Sequence, residues 1–421
     1  MSEAKAPAAR PPLMALDEAL ARLLANAKPQ LATERVSTFE ADGRVLAQDV
    51  VSGLTVPPRD NSSMDGYAVR AADCAQPGAV LSVAQRIPAG SVGTPLAAGT
   101  AARIFTGAQI PEGADAVVMQ EDTAALEGQG EEDAFGRVRI ETPPALGQWI
   151  RRAGEDVTRG DVVLKKCSRL TPQALGLAAS VGMDALQVSM RPRVALLSTG
   201  DELVMPGEVA PEAMKPGAIY NSNRFFMRAL LHRLGCEVSD VGIVPDKREA
   251  TIEALRQAAA SNDLIVTTGG VSVGEEDHIK AAVQALGSLE LWSLSMKPGK
   301  PFAYGRIADA HICGLPGNPV SSFLTFLLLV RPFLLTLQGA SATAPRAIAM
   351  RTDFDWPKAD RRREFLRARY NDRGGLELFS NQSSGVLTST VWGDGVIDTP
   401  AGQPFKAGDT VQFIPFSSLL A

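Results

Sequence analysis

The chain has little of what would mark a metal-stapled, membrane-spanning or polyanion-binding protein. Its four cysteines, Cys74, Cys167, Cys236 and Cys313, are far apart, form no CxxC pair and cluster with no histidine. That argues against a structural zinc site or a disulfide framework and fits a reducing cytoplasm. Neither sign of charge dominates: 42 Lys and Arg stand against 47 Asp and Glu, for a formal net charge of −5. The overall balance therefore gives no electrostatic reason to bind nucleic acid or anionic lipid, and any phosphate chemistry must be local. Aromatic residues are only 5 %. The most apolar run, Phe323 to Val330, stops at Arg331-Pro332, far short of the roughly 20 residues that span a bilayer, and reads as a buried helix. The opening MSEAKAPAARPP has no apolar stretch and reads as a frayed tail, not a signal peptide. A soluble, cytoplasmic protein is expected.

What the chain does have is turn formers. It holds 38 Gly and 28 Pro in 421 residues, above the roughly 12 % that the two reach on average, and its length allows two to four domains at roughly 100 to 200 residues each. Leu13, Leu16, Leu20, Leu23 and Leu24 recur at helical spacing and predict an amphipathic opening helix. From Pro77 to Pro144, short apolar stretches punctuated by Gly, Pro and Asp predict a β-rich insert, a small barrel or sandwich. The segment 147–190 reads as a return to the part begun by the opening helix. From Arg191 the rhythm becomes strand and helix in alternation, with strands at Val194–Ser198, Glu237–Ile243, Leu264–Thr268, Leu289–Ser295 and His311–Leu315. Such alternation predicts a mostly parallel sheet covered by helices on both faces. Past Gly339 short strands and Gly turns return, predicting a closing β domain. The divisions expected are 13–50 with 147–190, 51–146, 191–338 and 339–421.

In an open α/β sheet, ligands bind beyond the carboxyl ends of the strands, where backbone N–H groups and helix N-termini are exposed. Those exits carry Thr199-Gly200-Asp201-Glu202, Asp246, Gly269-Gly270 with Ser272, and Gly317-Asn318-Pro319. Three Gly-bearing loops at equivalent ends of one sheet are more than turn chemistry requires and point to a phosphate cradle. With no GxxxxGK[ST] and no GxGxxG after a strand, it is neither a P-loop nor a dinucleotide fold. Asp65, Asp201, Glu202, Asp246 and Asp277 lie in loops, and carboxylates converging on phosphates are how oxygen ligands for Mg²⁺ are assembled. Lys297 and Lys300 sit three apart on the Pro- and Gly-stiffened stretch Met296 to Phe302, a pairing that suits phosphate or an oxyanion. The basic run Arg361 to Arg367 fits a solvated strand edge equally well. Segment 57–68, Pro-Pro-Arg-Asp-Asn-Ser-Ser-Met-Asp-Gly-Tyr-Ala, is either a well-made loop or one that reaches a substrate; spacing leaves both open.

Taken together, DNSSMDGYAVR (60–70), RIFTGAQIPEGADAVVMQE (103–121), RRAGED (151–156), STGDEL (198–203), TTGGVSVGEEDH (267–278), KPGKPF (297–302) and GLPGNPVSS (314–322) resemble the molybdopterin molybdenumtransferase family, called MoeA in bacteria, to which gephyrin and plant E domains also belong. The resemblance runs in order from about residue 13 to the end. It implies an elongated four-domain subunit: a discontinuous N-terminal α+β domain, an inserted small β domain, a three-layer α/β domain that binds molybdopterin, and a C-terminal β-barrel. It implies the last step of molybdenum cofactor synthesis, in which adenylylated molybdopterin and molybdate react with Mg²⁺ assisting and AMP is released. It further implies a homodimer with each active site shared between subunits, and contacts with the adenylyltransferase and apo-molybdoenzymes.

Carried over by position, the resemblance makes Asp65, Thr106, Glu202, Asp246, Asp277, Lys297 and Lys300 the active-site set. Glu202, Asp246 and Asp277 would organise Mg²⁺ and water, Gly269, Gly270 and Ser272 would cradle the pterin phosphate, and the two lysines would hold molybdate or neutralise developing charge. Thr199, Gly200, Asp201, Pro298, Gly299, Pro301, Gly317, Asn318 and Pro319 would line the substrate. Arg367 or Arg362, and Ser384, would join from the last domain. The rival readings are the single-domain adenylyltransferase of the preceding step, which shares the α/β architecture, and a non-catalytic scaffold of the gephyrin kind.

Overall fold

The alternating segment folds into one six-stranded sheet in the computed structural model, which describes residues 13–28, 32–128, 134–270 and 278–420. Its strands are β1 (Arg193–Thr199), β2 (Glu237–Val244), β3 (Leu264–Thr268), β4 (Gly287–Ser293), β5 (Pro301–Ile307) and β6 (Ala310–Leu315), in the order β2-β1-β3-β6-β5-β4. The first four neighbours run parallel, and only β5 is antiparallel to those beside it. β3 and β6 are buried along their whole length, as strands covered on both faces must be, so neither shows the apolar-polar alternation of a half-exposed strand. Helices Ser222–Arg233, Arg248–Ser261, His278–Leu286 and the segment from Pro319 supply the cover. β5 was missed by pattern reading. KPGKPF looked like a loop throughout, but the turn ends at Lys300, and Pro301 starts a strand, a position where the missing N–H costs least.

Arg331-Pro332 does not end the apolar helix. A wider turn over Phe326–Val330, in which Arg331 N–H donates to Phe326 O, shifts the ladder, and the helix continues through Arg331–Leu337. That wider turn accommodates a proline that donates no hydrogen bond. The whole element, Pro319–Leu337, is long and apolar enough to cross a membrane, with a mean hydropathy of 1.9, yet 94 % of its most apolar window is buried inside the protein.

The opening helix, Leu16–Asn26, was expected to belong with 147–190. Instead Leu16, Ala19 and Leu23 enter the same hydrophobic cluster as Leu196, Met227, Phe333 and Phe365, and the helix packs against the long apolar one. Segments 33–51 and 147–190 do come together: Thr33–Ser37 pairs antiparallel with Ala185–Ser189, and Val50–Val51 with Val162–Leu164. The insert is a six-stranded mixed sheet from Gly66–Val69 to Arg137–Ile140, with Ala79–Ile87 parallel to Thr100–Ile104 and its other pairs antiparallel. The last sheet runs Met296–Lys297, Arg363–Tyr370, Gly395–Thr399, Thr410–Pro415, Ile348–Arg351, with Leu376–Leu378 beside Arg363–Tyr370. Its first member comes from the α/β part of the chain, so the two are stitched together at Lys297.

One buried group makes the α/β core sensitive to acid. His311 on β6 is 3 % exposed, shares a 2.9 Å hydrogen bond between Nδ1 and the Tyr304 hydroxyl, and meets the Phe333 ring edge-on. Burial pushes its pKa from 6.5 down to about 4. The unfolded chain takes up the proton near 6.5 while the folded one resists until about 4, so stability is intact above 6.5 and falls as the pH drops toward 4, by on the order of 3 kcal/mol. Urea unfolding at pH 7.5 and pH 5 should show about 2 kcal/mol of that loss in the wild type and less in His311→Gln; equal losses would assign the acid sensitivity elsewhere.

Candidate active site

A cleft of about 730 Å³ opens at the carboxyl ends of β1, β3 and β6, the crevice where open α/β sheets place ligands. Thr199 comes from the end of β1, Thr268, Gly269 and Gly270 from β3, and Pro316 to Pro319 from the exit of β6. Lys297, Pro298, Gly299, Lys300 and Pro301 form one side, and Arg362 with Gln382, Ser383 and Ser384 reach in from the last sheet. The Gly269-Gly270 turn hugs β1: Gly270 has φ +65°, and a Cβ there would lie 3.0 Å from Thr199 Oγ1 and 2.6 Å from Ile279 Cγ1. Gly299 is equally constrained, with φ +113° and Thr325 Oγ1 2.6 Å from where a Cβ would be. These glycines bring backbone N–H groups close to anything bound there. The wall is tied to the helix start by Val320 N–H donating to Ser384 O at 3.0 Å, and the Ser322 hydroxyl donates to Pro316 O.

Of the residues expected from sequence, Thr199, Glu202, Gly269, Gly270, Lys297, Pro298, Gly299, Lys300, Pro301, Gly317, Asn318, Pro319 and Ser384 line this one cleft. Asp277 and Ser272 lie outside the described residues. Gly200, Asp201 and Asp246 stand aside from the lining; the Asp246 N–H donates to Asp201 Oδ1 at 3.3 Å. Among the described residues no three Asp, Glu, His or Cys side chains converge as a metal-holding group.

Asp65 and Thr106 meet each other but not the cleft. Both the backbone N–H and the hydroxyl of Thr106 donate to Asp65 Oδ1, at 2.8 and 2.7 Å, which holds this exposed carboxyl below its ordinary pKa. Arg367 is also displaced from its expected role, and Arg362 takes the place in the lining. The Arg367 guanidinium is buried and donates to Ser389 Oγ, Phe365 O and Ser383 O, and desolvation lowers its pKa to about 10. It braces the 382–384 wall from behind, where Gln382 also bonds both its N–H and its C=O.

Lys297 is not a bare cation. Its Nζ lies 3.1 Å from Glu364 Oε1 and 3.4 Å from Asp360 Oδ2, and Asp360 in turn takes a two-pronged bond from Arg362, both contacts at 3.0 Å. Arg362 beside it holds the Asp360 carboxyl far below the usual range. Sequence reading also passed over Asn223. That residue is 9 % exposed and lines the cleft; its Nδ2 donates to Gly317 O at 2.7 Å, which fixes the amide so that Oδ1, without a partner, turns away from that carbonyl. An Asn at a helix start reads as a cap, and nothing in the pattern distinguishes it from Asn221, which does cap.

Comparison with known proteins agrees on one family. Residues 14–182 match the MoeA N-terminal region (domain I and II), 195–336 a probable molybdopterin binding domain, and 349–416 the MoeA C-terminal region (domain IV). A molybdopterin molybdenumtransferase of Haemophilus influenzae is 40 % identical over 417 residues, covering 97 % of this chain and all of the relative. One of Synechococcus elongatus is 36 % identical over 94 % of this chain and 98 % of its own length. The crystal structure of a molybdopterin biosynthesis MoeA protein from Pyrococcus horikoshii superposes with a TM-score of 0.81 at 30 % identity, covering 96 % of this chain and all of that one.

Proposed function

The chain belongs to the molybdopterin molybdenumtransferase family, whose reaction completes the molybdenum cofactor, and from that premise we propose how the cleft performs the transfer. The substrate is adenylylated molybdopterin together with molybdate. The single observation that carries this reading is that Gly-lined strand ends and the cations Lys297, Lys300 and Arg362 share one cleft. The Gly270 N–H and the dipole at the start of the 319–337 helix take the pterin phosphate, while the Gly269 and Val320 N–H groups brace the rim by donating to Leu315 O and Ser384 O. Lys300, Lys297 and Arg362 face the oxyanion and the charge that develops on phosphorus. Water adds to a phosphorus of the P–O–P link and the bridging P–O bond breaks. AMP leaves, and the dithiolene sulfurs take molybdenum in exchange for oxygen lost as water.

Magnesium, when bound, would draw charge from the phosphate oxygens. Glu202 in the cleft and Asp246 nearby offer the hard oxygen donors such a cation takes, but three donors do not converge among the described residues. We further propose a homodimer in which Asp65 and Thr106 of one subunit complete the cleft of the other. A pre-oriented carboxylate on an exposed turn, apart from its own chain's cleft, supports this. The last sheet is read as a small barrel, which the bridge between Thr352 and Leu376 supports by joining the end of the Ile348–Arg351 strand to Leu376–Leu378. Four free cysteines suit a cytoplasmic location.

Purified protein supplied with adenylylated molybdopterin, molybdate and Mg²⁺ should release AMP and activate an apo-molybdoenzyme. ATP-dependent adenylylation of free molybdopterin without AMP release would assign the chain to the preceding step. Protein that does neither would favour the scaffold.

A further inference from the structure

We propose that Asp360 and Glu364 are positioning residues for the transfer, a carboxylate layer under the cleft that holds Lys297 and Arg362 side by side and cancels part of their charge. The proposal rests on the reading that this cleft takes molybdate. Lys297 is delivered by backbone pairing: Met296–Lys297 runs parallel to Arg363–Tyr370, with Lys297 opposite Glu364 in register. Glu364 is 1 % exposed, and its Oε2 is already engaged, accepting the Trp356 indole N–H and the Asp360 backbone N–H, each at 2.9 Å. That fixes the carboxylate so that Oε1 faces the Lys297 ammonium at 3.1 Å. Asp360 bridges the two cations, clasped by Arg362 and 3.4 Å from Lys297 Nζ.

The division of labour is clear in the lining. Both cations reach the cleft and neither carboxylate does. Two cations fixed side by side with nothing beneath them would repel and splay apart. With the carboxylates beneath, the donors stay aimed while their net pull on an anion is reduced. A tetrahedral dianion is then oriented without being held too tightly to be passed on, which binding at full charge would impede.

Removing one carboxylate charge should therefore act in opposite directions on binding and turnover. In Glu364→Gln the KM for molybdate should fall about fivefold, as an offsetting negative charge near the anion is lost. The kcat should fall about tenfold or more, because Lys297 is no longer aimed. Asp360→Asn, at a side chain that is 20 % exposed, should shift both in the same directions and carries the test if the buried variant does not fold. A residue that merely supports the fold would reduce the amount of active enzyme and leave KM where it was.

The measurement is AMP release with molybdate titrated, alongside calorimetric binding of molybdate alone, on wild type and both variants. Tighter molybdate with slower release supports the carboxylate layer. Wild type that binds molybdate, with folded variants unchanged or weakened in KM, overturns this layer alone. Wild type that binds no molybdate overturns the reading of the cleft, and this proposal with it.

Discussion

Lys297→Ala is expected to lower AMP release by a factor of about 100 to 1,000, the range seen when one donor aimed at developing charge is removed. The same change should cost stability, since Glu364 at 1 % exposure would lose the cation its free oxygen faces. About 2 kcal/mol is the usual scale for a buried polar group left unmatched. The two losses can be separated. In the double variant Lys297→Met with Glu364→Gln, both charges go together, and replacing a pair costs far less than orphaning one member. Urea midpoints should recover toward wild type while AMP release stays at the level of the single variant. Activity that recovered with stability would mean that Lys297 serves the fold and not the transfer.

Asp65→Ala should be as inactive as Lys297→Ala, yet a mixture of the two should regain activity. In a dimer whose clefts are each completed by the other subunit, one-to-one subunit exchange makes half the dimers mixed, and each mixed dimer holds one cleft with both groups intact. About a quarter of wild-type activity is expected. Asp65 meets Thr106 and not the cleft of its own chain, which is what makes the mixture informative. A mixture that stays inactive, or an Asp65→Ala protein that is active alone, would rule out sharing of the site.

Much of the cleft could be read from the chain. Gly269-Gly270 and Gly317-Asn318-Pro319 announce themselves because strand, Gly turn and helix follow one another within a few residues, and all three signals are local. KPGK is legible for the same reason. Arg367 was misplaced because a strand alternates its faces, and spacing cannot say which face of Arg363–Tyr370 is covered; Arg362, two positions from Glu364, lines the cleft instead. The opening helix was legible as a helix, but its amphipathic stripe could not say which core it joins.

Local chemistry in the sequence by itself determined where strands end, where glycine must stand, that the overall charge exerts no pull on a polyanion, and that the Gly-bearing strand exits lie at one end of an α/β sheet. Only the tertiary structure decided that Lys297 pairs with Glu364, that Arg362 clasps Asp360, and that Asp65 stands apart from its own cleft. Turn and strand signals arise between neighbours along the chain. A charge's partner depends on which distant strand is hydrogen-bonded beside it, here Arg363–Tyr370 beside Met296–Lys297, and that pairing is set by burial across the whole fold.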